Sequence, residues 1–320
     1  MQALLALAVE TVPRALGFCD RDAGSVTAGC CDRSYWHYRL IDVANARYQE
    51  IGLLLALAHA TPAPGNPFAG RQKIADWSRM IWRHWLRQKN GDGSLSEVYP
   101  NERSFCATAF TAAAFVETVS LLGGAAAWQR ELAEARPVYL WLAENENPGV
   151  ANQMAASWSA LDGYAQLTHS DRIAAAAAAR RERVLKAQRA DGAFLEYGGL
   201  DAGYQTVSMS ALVRVLERNP ADRELRDALA AAENVIRPLL KPDGDIDPGR
   251  NSRSTQYIYP YALKYLQSEL LGPVLTGIES GTVLRPTWLD DRYCHALAAD
   301  YFLAYRRSGH GDDAAAPDRI

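Results

Sequence analysis

The sequence predicts an all-α fold, a toroid of six helical hairpins of the (α/α)6 kind, and two observations carry that expectation. The first is a short recurring phrase: Gln88-Lys89-Asn90-Gly91-Asp92-Gly93-Ser94-Leu95-Ser96-Glu97, then Gln188-Arg189-Ala190-Asp191-Gly192-Ala193-Phe194-Leu195-Glu196, then Leu240-Lys241-Pro242-Asp243-Gly244-Asp245-Ile246-Asp247. Each copy follows one helical stretch and precedes another, the signature of hairpins that bury their apolar faces against their neighbours. The second is an alternation of two helix types. Segment 71–88 carries six charges (Arg71, Lys73, Asp76, Arg79, Arg83, Arg87) and 171–188 carries seven, interleaved with apolar positions, as a helix with one wet face requires. Segments 104–121 and 151–168 each carry one charge, Glu117 and Asp162, among small residues, as a helix packed on all sides requires.

In chain order, outer helices are expected near 2–15, 71–88, 126–143, 171–188, 221–238 and 268–280. Inner helices alternate with them near 44–59, 104–121, 151–168, 203–217, 254–267 and 290–306. The competing arrangement is an open solenoid of the same hairpins. The one Pro/Gly-dense stretch, Pro62 to Pro67, lies between two helices of the same pattern, so 1–306 reads as one domain, and the polar tail 307–320 reads as disordered.

Hydrophobic residues at 48% and charged residues at 22% fit an ordinary globular chain, and a net charge of −3 argues against a nucleic-acid partner. No stretch is long and apolar enough to span a membrane. The apolar run Met1 to Val9 lacks a basic leader and reads as a first packed helix. With five cysteines, an odd number, the expected location is the cytoplasm with thiols reduced. Oligomeric state is left open.

In a closed ring of hairpins every outer-to-inner loop lands on one face, and binding residues concentrate on loops held by a rigid scaffold. The first of these loops offers Trp36, His37 and Tyr38. The second offers Glu97, Tyr99, Glu102 and Arg103, with Glu102 also suited to stabilise a helix N-terminus. The fourth offers Glu196, Tyr197, Asp201 and Tyr204, with Asp201 also suited to cap the next helix. The fifth offers Asp247, Arg250 and Arg253, followed by Tyr257. Its alternating aspartates lack the spacing of a calcium loop. Aromatic platforms beside carboxylates and guanidinium groups suit sugars, uronic acids above all, because Arg grips a carboxylate with two parallel hydrogen bonds.

The phrase and the helix alternation resemble the six-hairpin toroids: glycosidases and uronyl hydrolases, heparinase- and alginate-lyase-type polysaccharide lyases, and sugar epimerases. The phrase is also similar to the QW-type repeats of triterpene and class II terpene cyclases, but the Asp-x-Asp-Asp acid of those enzymes is missing. Lanthionine-cyclase-like toroids hold zinc through Cys and Cys-His, and Cys294-His295 with Cys106 matches only a fragment of that pattern. No cofactor and no metal is therefore expected.

The resemblance implies an enzyme that cleaves or modifies an acidic glycan in the mouth of the ring. A lyase would pair Arg103, Arg250 or Arg253 with the uronate and use Tyr204, Tyr257 or His37 as base and acid. A hydrolase would take acid and base from Glu97, Glu196, Asp201 and Asp247. A non-catalytic glycan-binding ring and an isoprenoid cyclase are the alternatives.

Overall fold

The computed structural model describes residues 1–247, 249 and 251–308. Among them the fold is all-α, with isolated bridges such as Leu95 with Ser104 and no β-strand. In chain order the helices are α1 (Gln2–Phe18), α2 (Arg33–Trp36), α3 (Ile51–Ala60), α4 (Gln72–Gln88), α5 (Phe105–Leu121), α6 (Gly124–Ala127), α7 (Gln129–Glu144), α8 (Ala151–Thr168), α9 (Asp171–Ala187), α10 (Ala202–Arg218), α11 (Arg223–Ile236), α12 (Pro260–Tyr265), α13 (Leu271–Ser280) and α14 (Cys294–Ser308). None of these is long and apolar enough to cross a membrane.

Packing divides them into two sets. Helices α3, α5, α8, α10, α12 and α14 each touch the next in that order, and α14 returns to α3. Helices α1, α4, α7, α9, α11 and α13 lie outside this cycle, packed on α14, α3, α8, α8, α10 and α12 respectively. The central helices approach closely because small residues let them. A Cβ on Gly163 of α8 would sit 2.8 Å from Val116 of α5, and one on Gly52 of α3 would sit 2.5 Å from the Trp82 indole of α4. The single charges Glu117 and Asp162, together with Arg218, form one knot, with Arg218 donating to them at 2.5 and 2.7 Å. A charge on an otherwise apolar helix is thus satisfied by a charge on its neighbour.

The recurring phrase is a clamp. Gly93, Gly192 and Gly244 all take a left-handed backbone (φ +96°, +94°, +82°), and each presses on a carbonyl of the following peripheral helix. A Cβ there would stand 2.2–2.3 Å from the oxygens of Pro137 (α7), Ala231 (α11) and Pro273 (α13), so only glycine fits. In each copy the glycine N–H closes a turn on Asn90, Arg189 or Lys241, at 2.8–2.9 Å. A fourth copy, with no Asp-Gly pair to announce it, centres on Gly29 (φ +86°) against Met80 of α4. Gln49, just before α3, and Gln205 of α10 brace two of the clamps, donating to Gly29 O at 2.8 Å and Gly192 O at 3.3 Å.

Three expectations need correction. The helix expected over 254–267 begins only at Pro260, because proline suits the first helical position and disfavours helical geometry at the residue before it, Tyr259, whose backbone is extended; Tyr257 stands outside any helix. The segment expected as the start of the 44–59 helix is a 3-10 turn over Ala46–Glu50 before α3 begins. Residues 307 and 308, expected in a disordered tail, end helix α14, and 309–320 lie outside the described residues.

Candidate functional site

A cavity of about 330 Å³ opens where the first turns of α5, α8, α10 and α14 converge. Glu97 and Glu196, each four residues past its clamp glycine, project into it. That equivalence fixes the register of the repeat: four residues past Gly244 is position 248, so Asp247 falls one residue short. It is not among the lining residues, and its Oδ1 accepts the Gly249 N–H at 3.0 Å.

Glu196 is 2% exposed. The Asn152 N–H, in the first turn of α8, donates to its Oε1 at 2.8 Å, and its Oε2 is buried without a partner. Burial, assisted by the nearby Asp201 carboxylate, pushes its pKa up to about 7, against the Asn152 hydrogen bond and the Arg253 charge. Glu97 is ion-paired with Arg292 and accepts from Ser104 Oγ at 3.0 Å. A second ion pair joins Arg47 to Glu50, and the Arg47 guanidinium lies 4.2 Å over the Phe110 ring. The site thus sets one buried carboxyl that favours its neutral form among guanidinium groups.

Asp201 caps α10 and accepts from the backbone of Tyr204, Arg253 and Thr255 and from the Thr255 hydroxyl. With both oxygens so engaged, it knits the fourth loop to the fifth. That brace carries Arg253 to the mouth, its guanidinium 5.0 Å over Tyr197 and 6.0 Å over Tyr204. Tyr204 meets Tyr257 edge to face at 6.3 Å. Burial pushes the Tyr257 and Tyr259 hydroxyls well above the ordinary tyrosine range.

The structure therefore brings Glu97, Glu196, Tyr197, Tyr204, Arg253 and Tyr257 to one cavity. It places others elsewhere. At the end of α2, His37 meets the rings of Trp36 and Tyr38 edge to face, with His37 and Tyr38 exposed and Trp36 donating to Phe18 O at 2.7 Å. Tyr99 is 68% exposed outside the cavity lining. Glu102 gathers the N–H groups of Glu97 and Val98 at 2.7 and 2.6 Å, and Arg103 pairs with Asp92 at 3.1 Å. Arg250 lies outside the described residues.

Sequence reasoning passed over Arg47, Glu50, Arg214 and Arg292, all of which line the cavity. The available signal was the same one that marked Glu117 and Asp162, a charge on a central helix or at its entrance. His295 lies behind the cavity, wholly buried against Arg47 O at 3.2 Å. Cys106 accepts from Arg47 at 3.1 Å, and among the described residues no group of three His, Cys, Asp or Glu side chains stands close enough to hold a metal ion. No known family, curated protein or solved structure matches the chain.

Proposed function

We propose that the chain is a six-hairpin (α/α)6 toroid that hydrolyses an acidic, uronate-containing glycan in its central cavity. The closed cycle of central helices, each with a peripheral partner, supports the architecture. The chemistry rests on one observation: the neutral-leaning carboxyl of Glu196, a residue that lines the cavity, with one of its oxygens buried and unpartnered. A carboxylic acid that keeps its proton to about pH 7 is suited to protonate a leaving oxygen at neutral pH.

In the proposed step Glu196 gives its proton to the glycosidic oxygen as the bond from that oxygen to the anomeric carbon breaks. Water attacks that carbon and passes a proton to Glu97, the equivalent residue of another copy. Arginine and tyrosine side chains bind the sugar, with Arg253 stacked on the tyrosines at the mouth. Hydrolysis is favoured over elimination because Glu196 is already suited to act as the acid, whereas of the three bases considered for a lyase burial pushes Tyr257 the wrong way and His37 stands outside the cavity, which leaves Tyr204 alone.

The test is incubation with uronate-containing oligosaccharides while new reducing ends and the ultraviolet absorbance of an unsaturated uronate are followed together. Hydrolysis gives reducing ends alone. Both signals rising together would make the enzyme a lyase, and neither rising on any acidic glycan would end the proposal.

A further inference from the structure

The cavity does not stop at the carboxylates. Along α10, Tyr204, Val207, Ala211 and Arg214 line it at spacings of three, four and three, one face of the helix. That face carries the cavity from the mouth to a depth of about 15 Å at the rise of an α-helix. Ala113 and Ala114 of α5, Ala156 of α8 and Ala299 of α14 line it as well, beside Ser210 of α10, whose hydroxyl is taken by Asp300.

Arg214 is the cation at that depth. Its Nε is buried and has no hydrogen-bond partner, and among the described residues Arg214 forms no ion pair. Asp300 and Glu217 act on it only through space, and Asp300 is committed to Ser210 at 2.5 Å and to the Tyr261 N–H at 2.9 Å. This separates it from Arg47 and Arg292, each already held by a glutamate in the same cavity. With neither Asp300 nor Glu217 bonded to it, the Arg214 guanidinium keeps its donors free for an anion that enters the recess, and a buried donor without a partner is costly.

We infer that Arg214 seats the carboxylate of a terminal uronate, so that the glycan enters anion first and is cut at its end. The inference rests on the acidic-glycan reading above. With the carboxylate on Arg214, the linkage to the rest of the chain lies toward the mouth, where Glu196 and Asn152 stand at the start of α8. The alanines leave room for a flat pyranose ring and offer no hydrogen bonds that would hold a neutral sugar. Arg253 at the mouth then contacts the sugar beyond the cut.

The experiment is calorimetric titration of wild type, Arg214→Met, Arg214→Lys and Arg253→Met with glucuronate, glucose and acetate. Wild type binds glucuronate and not glucose, Arg214→Met weakens glucuronate about tenfold or more, and Arg253→Met has a smaller effect. Arg214→Lys, which keeps the charge without the fork, falls between and decides the matter should the methionine variant not fold. Equal glucuronate affinity in wild type and both Arg214 variants overturns the inference while leaving the glycan reading intact. Glucose binding as tightly as glucuronate, or no glucuronate binding to wild type, overturns it too. Acetate competing as strongly as glucuronate, with both lost in Arg214→Met, supports the anion seat while sinking the glycan reading.

Discussion

The Asn152 N–H donates to Glu196 Oε1 at 2.8 Å and leaves Oε2 buried without a partner. One hydrogen bond orients the carboxyl without satisfying it, and burial outweighs that bond in setting its proton affinity. Glu196→Gln keeps the shape and the Asn152 contact while removing the proton. Turnover falls by about 10²- to 10⁴-fold, with an unchanged circular dichroism spectrum. In wild type kcat/KM declines as pH rises through about 7, and Glu196→Asp keeps a shifted form of that limb.

The same group links pH to stability. Its folded pKa, about 7, stands above the ordinary 4.5, so the folded chain holds a proton that the unfolded chain has released between those values. The stabilisation is full below the lower value and is lost as pH rises through the upper one. Asp300, raised to about 6 by burial, adds in the same direction. His84 and His295, whose pKa burial lowers, slope the other way over part of this range, so the reading is the difference: the Tm advantage of wild type over Glu196→Gln should shrink as pH rises from 5 to 8.

Gly192→Ala forces a Cβ to within 2.2 Å of Ala231 O, whereas Gly65→Ala at φ +89° meets open space. The second change costs only the left-handed penalty, about 1–2 kcal/mol. The first adds displacement of a helix backbone and should cost clearly more, on the scale of the largest single-residue losses, roughly 4 kcal/mol or above. Urea titration of the two variants side by side decides whether the glycine is a clamp or only a turn.

Arg292→Gln strands the buried Glu97 carboxylate, and Glu97→Gln strands a guanidinium that is 31% exposed. The arginine change is therefore the more damaging of the two, and the double variant recovers part of the loss. A double-mutant cycle by thermal unfolding that finds the two losses additive would mean the pair is not coupled.

Burial raises the thiol pKa of Cys30 to about 12 and of Cys294 to about 11, and pushes that of Cys31 well up. Thiolate is the reactive form, so iodoacetamide at pH 7.5 should leave these three unmodified in the native chain and label them once urea unfolds it. Mass spectrometry reads the difference directly.

The helices were legible because wet and dry faces leave their mark in charge spacing, and the clamp was legible wherever Asp and Gly stood together. Gly29 escaped notice because its carbonyl partner, Met80, lies 51 positions along the chain and its own loop lacks the dipeptide. Asp247 was matched to Glu97 and Glu196 by its charge, while the clamp glycine, which sets the true register, puts it one position off. Arg47, Arg214 and Arg292 could not be assigned to the cavity from sequence, since which face of a central helix looks inward is decided by packing against its neighbours. The extended chain before Pro260 yielded to proline geometry that outweighed the apolar pattern around it.

The first and last described helices lean on each other: α1 packs on α14, and Arg14 binds Asp291 at 2.6 Å, while Arg306 ties α14 to α3 by donating to Ala60 O. In an open stack of repeats the ends fray first and each unit's free energy simply adds to the next. Among the described residues each central helix touches two others, so removing any one of them severs two junctions, wherever along the chain it lies. New termini cut into the exposed turn around Gly91, with a linker rejoining the old ones, would preserve every junction. Such a permuted chain should unfold in one cooperative transition, whereas a chain shortened by its final helix should lose that cooperativity.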